Sequence, residues 1–123
     1  MPAREHWKDQ PDEHDFPAAA DYLSLVLEPK AVSAKVAALQ AAPLTHRKAK
    51  DLLRASRLPP LPPDNLHVRK DLAKVDGGQL LSPVLLLRGD METDVPLIVA
   101  DGYHRICASY HLDEDADIPC RIV

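Results

Sequence analysis

Asp101, His104 and Arg105 are three side chains close together in the sequence whose types suit phosphate chemistry. Arg105 supplies a permanently charged planar fork that matches phosphate oxygens, and His104 can donate or accept a proton near neutral pH. Asp101 would repel an anion here unless it binds a metal ion such as magnesium, orients Arg105 or accepts a proton. The three residues predict a phosphate site in which Asp101 and His104 are the candidate catalytic residues and Asp101 is the candidate magnesium ligand.

The main chain around these side chains favours the same chemistry. Leu97-Ile98-Val99-Ala100 is an apolar run typical of a β-strand, and Gly102 then allows a tight turn into a helix. The first N–H groups of a helix have no partner within the helix and point towards an anion. The residues predicted to contact phosphate are Gly102, Tyr103, His104 and Arg105.

A second interpretation needs no ligand. Asp-Gly is a common turn dipeptide, Asp101 can cap the following helix, and Arg105 can pair with the acidic run Asp113-Glu114-Asp115. The order of strand, glycine turn and helix favours the phosphate site. A stripe of mostly apolar residues at helical spacing also favours the phosphate site, because burial of this stripe would point His104 and Arg105 away from the core. This stripe comprises Tyr103, Ile106, Cys107 and Tyr110.

A family resemblance rests on three segments that occur in order: S-P-V-L-L-L-R, L-I-V-A-D-G-Y-H-R-I-C-A and D-I-P-C-R-I-V. Over about residues 58–123 they resemble the small domain shared by the ParB amino-terminal region, sulfiredoxin and ADP-dependent serine kinases. The turn of the kinases, close to D-G-H-H-R, is the most similar to Asp101-Gly102-Tyr103-His104-Arg105. The resemblance implies nucleotide phosphate contacts for Gly102, His104 and Arg105, and a polar or metal-linked role for Asp101.

Departures from the family narrow the expected function. Tyr103 occupies the position of the nucleophilic cysteine in sulfiredoxins, and a phenol cannot become a thiolate, so we do not expect a sulfiredoxin. The sequence ends at Val123 without the nucleotide-binding motif and helix-turn-helix domain that follow in ParB proteins, so we do not expect a complete partition protein. No residue can be matched to the separate catalytic glutamate of the kinases.

Length and composition predict one small α+β (α/β-like) domain with an aliphatic core, since the chain has 123 residues, 46% hydrophobic content and one Trp. We expect a flexible tail over 1–16, in which Trp7 or Phe16 can pack down, and amino-terminal helices over 17–57. Three helices, at 18–27, at 30–41 and after a Thr45 cap, should pack on the small mixed sheet of a ParB/sulfiredoxin-like domain over 58–123.

The pattern after residue 58 supplies the sheet. Residues 59–63 are predicted to be an extended proline-rich connector, residues 68–75 a short helix closed by two glycines, and residues 83–87 and 95–99 two neighbouring strands. Polar residues at the start of the short helix either approach the phosphate site or form a solvated first turn. These residues are His67, Arg69 and Lys70.

Charge, cysteine content and histidine spacing argue against a DNA-binding protein, a disulfide-linked protein and a zinc protein. A net charge of −4 argues against specific DNA binding, and the basic stretch 46–50 with Arg54 and Arg57 is expected on the solvated face of a helix. Cys107 and Cys120 are expected to be buried free thiols, and the histidine spacing does not suit structural zinc. Without a signal peptide or an apolar run of membrane-spanning length, a cytoplasmic location and no membrane contact are expected.

The leading functional prediction is binding of a nucleotide or phosphometabolite. The protein could in addition catalyse phosphoryl transfer. It would then be a small-molecule kinase or a nucleotide hydrolase that uses magnesium with ADP, ATP or CTP. The alternative is a non-enzymatic ParB-like interaction or regulatory protein, acting as a homodimer or with a protein partner in a plasmid, phage or toxin–antitoxin context. Nuclease activity ranks last, because it needs metal-binding carboxylates beyond Asp101.

Overall fold

The structure, a computed structural model, describes residues 6–123, and in this range four strands form one mixed sheet between two layers of helices. No helix in the described range is both long and apolar enough to cross a membrane. The fold is α+β, as the sequence predicts. In chain order the elements are α1 (Asp15–Leu23), α2 (Pro29–Ala41), β1 (Thr45–Lys48), α3 (Ala49–Ser56), α4 (Leu66–Asp76), β2 (Val84–Leu87), β3 (Ile98–Asp101), α5 (Tyr103–Leu112) and β4 (Asp117–Ile122).

The strand order is β1-β4-β2-β3, and β2 is the strand that connects the two halves of the sheet. It pairs antiparallel with β3 and parallel with β4, and β1 pairs antiparallel with β4. The prediction that the two apolar runs form neighbouring strands is confirmed. β3 ends at Asp101, which pairs with Leu85, so Gly102 follows directly from the strand end.

Helices cover both faces of the sheet. Val84 and Leu86 of β2 point into a core formed with Trp7, α3, α4 and α5, while Leu85 and Leu87 pack against α1 and α2 on the other face. Because both faces are covered, all four residues of β2 are buried. The three amino-terminal helices therefore do not form one layer, since α3 packs on the same face as α5.

The prediction that Thr45 caps the third helix is wrong. Thr45 begins β1 and pairs with Cys120 of β4, and α3 starts only at Ala49 after Lys48 at the N-cap. Pairing with β1 satisfies the backbone groups along one edge of β4, which would otherwise be an open strand edge. Residues 46–48 of the basic stretch consequently lie on an exposed edge strand, where the sequence predicts a helix.

The segment expected to be a flexible tail contributes to the core in its described part. Trp7 is buried, the amide of Lys8 donates to the carbonyl of Leu81, and the amide of Leu81 donates to the carbonyl of His6. Helix α1 begins at Asp15, earlier than predicted. The rest of the expected tail, residues 1–5, lies outside the described residues. Within residues 6–16, His6, Trp7 and Asp15 are buried, and most of the other residues are exposed.

The apolar stripe of α5 is confirmed. Ile106 and Cys107 are fully buried, and Tyr103 and Tyr110 pack partly buried against the same core. Cys107 and Cys120 are free and buried, as predicted. Burial raises the pKa of the Cys107 thiol and raises the pKa of Cys120 to about 11, so both thiols stay protonated at neutral pH.

Candidate functional site

Gly102 forms the turn between β3 and α5. Its φ of 111° favours glycine, and a Cβ at this position would clash with the side chain of Val84 and approach Nη2 of Arg105 to 3.0 Å. Gly102 is the N-cap residue of α5, and its carbonyl accepts a hydrogen bond from the amide of Ile106 at 3.0 Å. The predicted strand, glycine turn and helix are confirmed, and no side chain caps this helix start.

Asp101 forms an ion pair with Arg105. Nη2 of Arg105 donates to Oδ2 of Asp101 at 2.9 Å and to the carbonyl of Pro83 at 3.3 Å, and both charged side chains are 17% exposed. Asp101 is therefore not the helix cap. Of the three roles that the sequence leaves open for this carboxylate, the geometry fits the orientation of Arg105. The acidic run after α5 instead provides Asp115 as a partner for Lys50, at 2.6 Å.

A second carboxylate approaches Arg105 from α1. Asp15 is 2% exposed, and its Oδ2 lies 3.9 Å from Nη2 of Arg105 and accepts the amide of Asp12 at 3.0 Å. Burial raises the pKa of Asp101, Arg105 lowers it, and the negative charge of Asp15 raises it further. Sequence reasoning missed Asp15 because nothing in the local pattern connects this residue with the glycine turn.

A cavity of about 250 Å³ opens beside the start of α5, between α4 and α5. Helix α4 is fixed there by Asn65, whose side chain accepts the amides of His67 and Val68 at 3.1 and 3.2 Å, and by the fully buried Val68. Apart from one glycine, every lining residue is polar or charged. The lining consists of His67, Lys70, Asp71, Lys74, Asp101, Gly102, His104 and Arg105.

The lining carries three permanent cations, Lys70, Lys74 and Arg105, against two carboxylates. The rings of His67 and His104 contact each other with centroids 4.7 Å apart. Burial lowers the pKa of His104, and His67 lowers it further. The lining has one more permanent cation than carboxylates, and the start of α5 adds the positive end of a helix dipole, so both features favour an anion, whereas the carboxylate of Asp15 beside Arg105 opposes it.

Asp71 is the functional candidate in the cavity that sequence reasoning missed. This half-buried carboxylate has a pKa raised by burial, which Lys74 partly offsets. The sequence did contain a signal, because His67, Lys70, Asp71 and Lys74 follow the i, i+3, i+4, i+7 spacing of one helix face. Of the residues proposed to approach the site from this helix, His67 and Lys70 line the cavity, and Arg69 is not part of the lining.

The Tyr103 side chain lies away from the cavity. Its hydroxyl donates to the carbonyl of Pro59 at 2.5 Å, and its ring packs against the core. Of the four predicted phosphate contacts, the structure brings Gly102, His104 and Arg105 to the cavity. Tyr103 instead fixes the proline-rich connector to α5.

Two groups of side chains contain carboxylates that could bind a metal ion. Mg²⁺ needs several oxygen ligands, and Arg105 already binds the Oδ2 atom of Asp101, so the magnesium role of Asp101 stays a prediction. Possible ligand atoms of Asp12, His14 and Asp15 lie within 4.8 Å of one another. Lys8 already pairs with Asp12 at 2.8 Å, and Arg105 lies beside Asp15, so cations surround this group as well.

Carboxylates lie beside four cations of the basic stretch and its neighbours. Lys48 and Lys50 both pair with Asp115, and Arg57 pairs with Asp94 at 2.5 Å. Arg54 lies 3.6 Å from Asp51. These carboxylates offset part of the positive charge that a DNA backbone would meet, and the expected lack of specific DNA binding stays a prediction.

No family model, curated protein or solved structure matches this chain. The resemblance to ParB/sulfiredoxin-like domains therefore stays a prediction from the residues. The chemistry of the cavity rests on its own geometry.

Proposed function

We propose that this protein binds a phosphate-bearing small molecule in the cavity between α4 and α5. One observation carries the proposal: the uncapped first turn of α5 borders the same cavity as Lys70, Lys74 and Arg105. Helix amides at an N-terminus and a guanidinium beside them are two independent devices for holding phosphate oxygens. The ParB/sulfiredoxin-like family and a cytoplasmic location remain proposals that agree with this function.

Arg105 is oriented before a ligand arrives. Asp101 and the carbonyl of Pro83 hold its Nη2 atom, so binding would cost little side-chain entropy. Lys70 and Lys74 are exposed on α4 and supply mobile charges from the opposite wall. His104 adds a ring N–H donor next to the glycine turn, so phosphate would be contacted from both helices.

Phosphoryl transfer is a second candidate function, and Asp71 is the observation that favours it. A general base needs a carboxylate inside the site with a pKa shifted towards neutrality, and the burial of Asp71 shifts its pKa in this direction. In this proposal Asp71 accepts the proton of an acceptor hydroxyl, whose oxygen forms a bond to the terminal phosphorus of a bound di- or triphosphate as the bond from that phosphorus to the bridging oxygen breaks. The shortened phosphate leaves with the electron pair of the broken bond, and Arg105 neutralises charge on the transferred phosphoryl group. Asp101 acts as a positioning residue for Arg105.

Calorimetry tests the binding proposal directly. We expect the wild type to bind at least one of inorganic phosphate, pyrophosphate, ribose 5-phosphate and ADP below millimolar concentration. Loss of a charge-assisted contact costs about 1.5 to 3 kcal/mol, so Arg105→Ala should weaken the affinity roughly ten- to a hundredfold. The control is Arg54→Ala, since Arg54 is exposed and lies outside the cavity lining.

Arg105→Lys keeps a positive charge beside the carboxylates of Asp101 and Asp15 and guards against loss of the fold, yet it removes the planar guanidinium. We expect this variant to fold and still to bind more weakly than the wild type. If none of the four ligands binds the wild type below millimolar concentration, the phosphate proposal is wrong. The non-enzymatic interaction protein would then be the better interpretation.

A further inference from the structure

The walls of the cavity offer little apolar surface to a nucleobase. Seven of its eight lining residues are polar or charged, and the eighth is Gly102. Pockets that enclose flat organic groups are usually lined by hydrophobic and aromatic side chains with a few polar groups among them. In this cavity polar and charged side chains make up nearly the whole lining, so it can bind phosphate and hydroxyl groups far better than it can bind a base.

Nearby rings and apolar side chains do not supply the missing surface. The imidazoles of His67 and His104 contact each other, which leaves no slot between them for a base. Tyr103 is held at Pro59, and Val68 of α4 is buried in the core. A base attached to a bound phosphate would therefore extend into solvent.

The size of the cavity points in the same direction. Its volume of about 250 Å³ is below the roughly 300 to 1,000 Å³ typical of pockets that enclose drug-sized ligands. Such a space suits a phosphate ester with a short polar chain. Asp71 lies on the α4 wall beside Lys70 and Lys74, and its carboxylate can accept hydrogen bonds from hydroxyl groups. A sugar or polyol phosphate has hydroxyl groups on carbon that can donate these bonds, whereas inorganic phosphate and pyrophosphate have none.

We propose that the ligand is a compact phosphorylated polyol and that a nucleobase contributes nothing to its binding. This inference rests on the proposed function and identifies its ligand class. Arg105, His104 and the first turn of α5 hold the phosphate, and Asp71 accepts hydrogen bonds from the hydroxyl groups.

Calorimetry with ribose 5-phosphate and AMP provides the test, because the two probes share a phosphorylated ribose and differ by the base. We expect dissociation constants within about threefold of each other. AMP binding that is more than about threefold tighter would overturn the inference and leave phosphate binding intact. If inorganic phosphate, pyrophosphate or ADP binds below millimolar concentration and ribose 5-phosphate does not, the inference alone is wrong. If none of these ligands binds below that concentration, the proposed function fails, and the inference fails with it.

Asp71→Asn tests the hydroxyl contacts. The quantity to measure is the affinity for ribose 5-phosphate divided by the affinity for methyl phosphate, since the loss of one negative charge affects both ligands alike. We expect this ratio to fall by about tenfold, the order of a hydrogen bond to a charged group. Asp64→Asn, in the exposed turn before α4, is the matched control and should leave the ratio unchanged. An unchanged ratio in Asp71→Asn would show that Asp71 does not accept hydrogen bonds from the hydroxyl groups of the ligand.

Discussion

Asp15 lies 3.9 Å from Arg105, with its Oδ2 atom towards the Nη2 atom that also binds Asp101. One guanidinium thus lies between two carboxylates, of which Asp15 is 2% exposed. The contact links the first turn of α1 to the first turn of α5 across the edge of the sheet. Because Arg105 also lines the cavity, the amino-terminal helix takes part in positioning the proposed phosphate contact.

Asp15→Asn should lower the pKa of Asp101, because the negative charge of Asp15 is one of the causes that raise it. The measurement is the titration of aspartate carboxyl carbons by NMR in the wild type and the variant, without any ligand. Asp21→Asn, on the exposed side of α1, is the control and should leave the Asp101 titration unchanged. An identical Asp101 titration in Asp15→Asn and wild type would contradict the coupling of these two carboxylates.

Arg105→Ala should destabilise the fold, because it leaves Asp101 and Asp15 without their shared counterion. We expect a loss of about 2 to 4 kcal/mol in the free energy of unfolding, towards the lower end of the range for breaking a buried pair, since Arg105 is partly exposed. Urea denaturation of Arg105→Ala, Asp101→Ala and the double variant gives the interaction energy. Additivity of the two single effects to within about 0.5 kcal/mol would indicate that the ion pair contributes nothing to stability.

Asp71→Asn should stabilise the protein progressively as the pH rises above the ordinary aspartate pKa of 3.8. Burial raises the pKa of Asp71 in the folded state, so between 3.8 and that raised value the folded protein binds more protons than the unfolded chain. The contribution of Asp71 to stability is therefore present below pH 3.8 and is lost as the pH rises through its folded pKa. Urea denaturation of both proteins from pH 3.5 to 7 measures this, and a difference that is constant or shrinks with pH would contradict it.

His104 should make anion binding tighter as the pH falls below its ordinary pKa of 6.5. Burial and His67 lower the pKa of His104, so the ring is neutral at pH 7 and becomes an added cation only in more acidic solution. Sulfate is a suitable probe for calorimetry, since its own charge does not change over this range. His104→Gln should weaken the pH dependence, whereas the exposed His46→Gln should not, and equal pH profiles for His104→Gln and wild type would exclude this role.

Local patterns of residue type were sufficient to predict several parts of the fold. The glycine turn between β3 and α5 follows from an apolar run and a glycine shortly after it, and Gly102 adopts its φ of 111° without strain. The buried face of α5 follows from helical spacing, and so does the burial of Cys107. The pairing of β2 with β3 was predictable because the two apolar runs are close in the chain and joined by a polar turn.

Tertiary structure alone decided which elements meet at the cavity. Helical spacing shows which face of α4 is polar, but it does not show that Asp71 lies opposite His104. The burial of Asp15 beside Arg105 and the pairing of Thr45 with Cys120 are likewise contacts between distant parts of the chain. Periodicity predicts which face of a helix or strand is buried and which is exposed. The partner of a charged side chain or of a strand edge depends on how the elements pack together, which periodicity does not show.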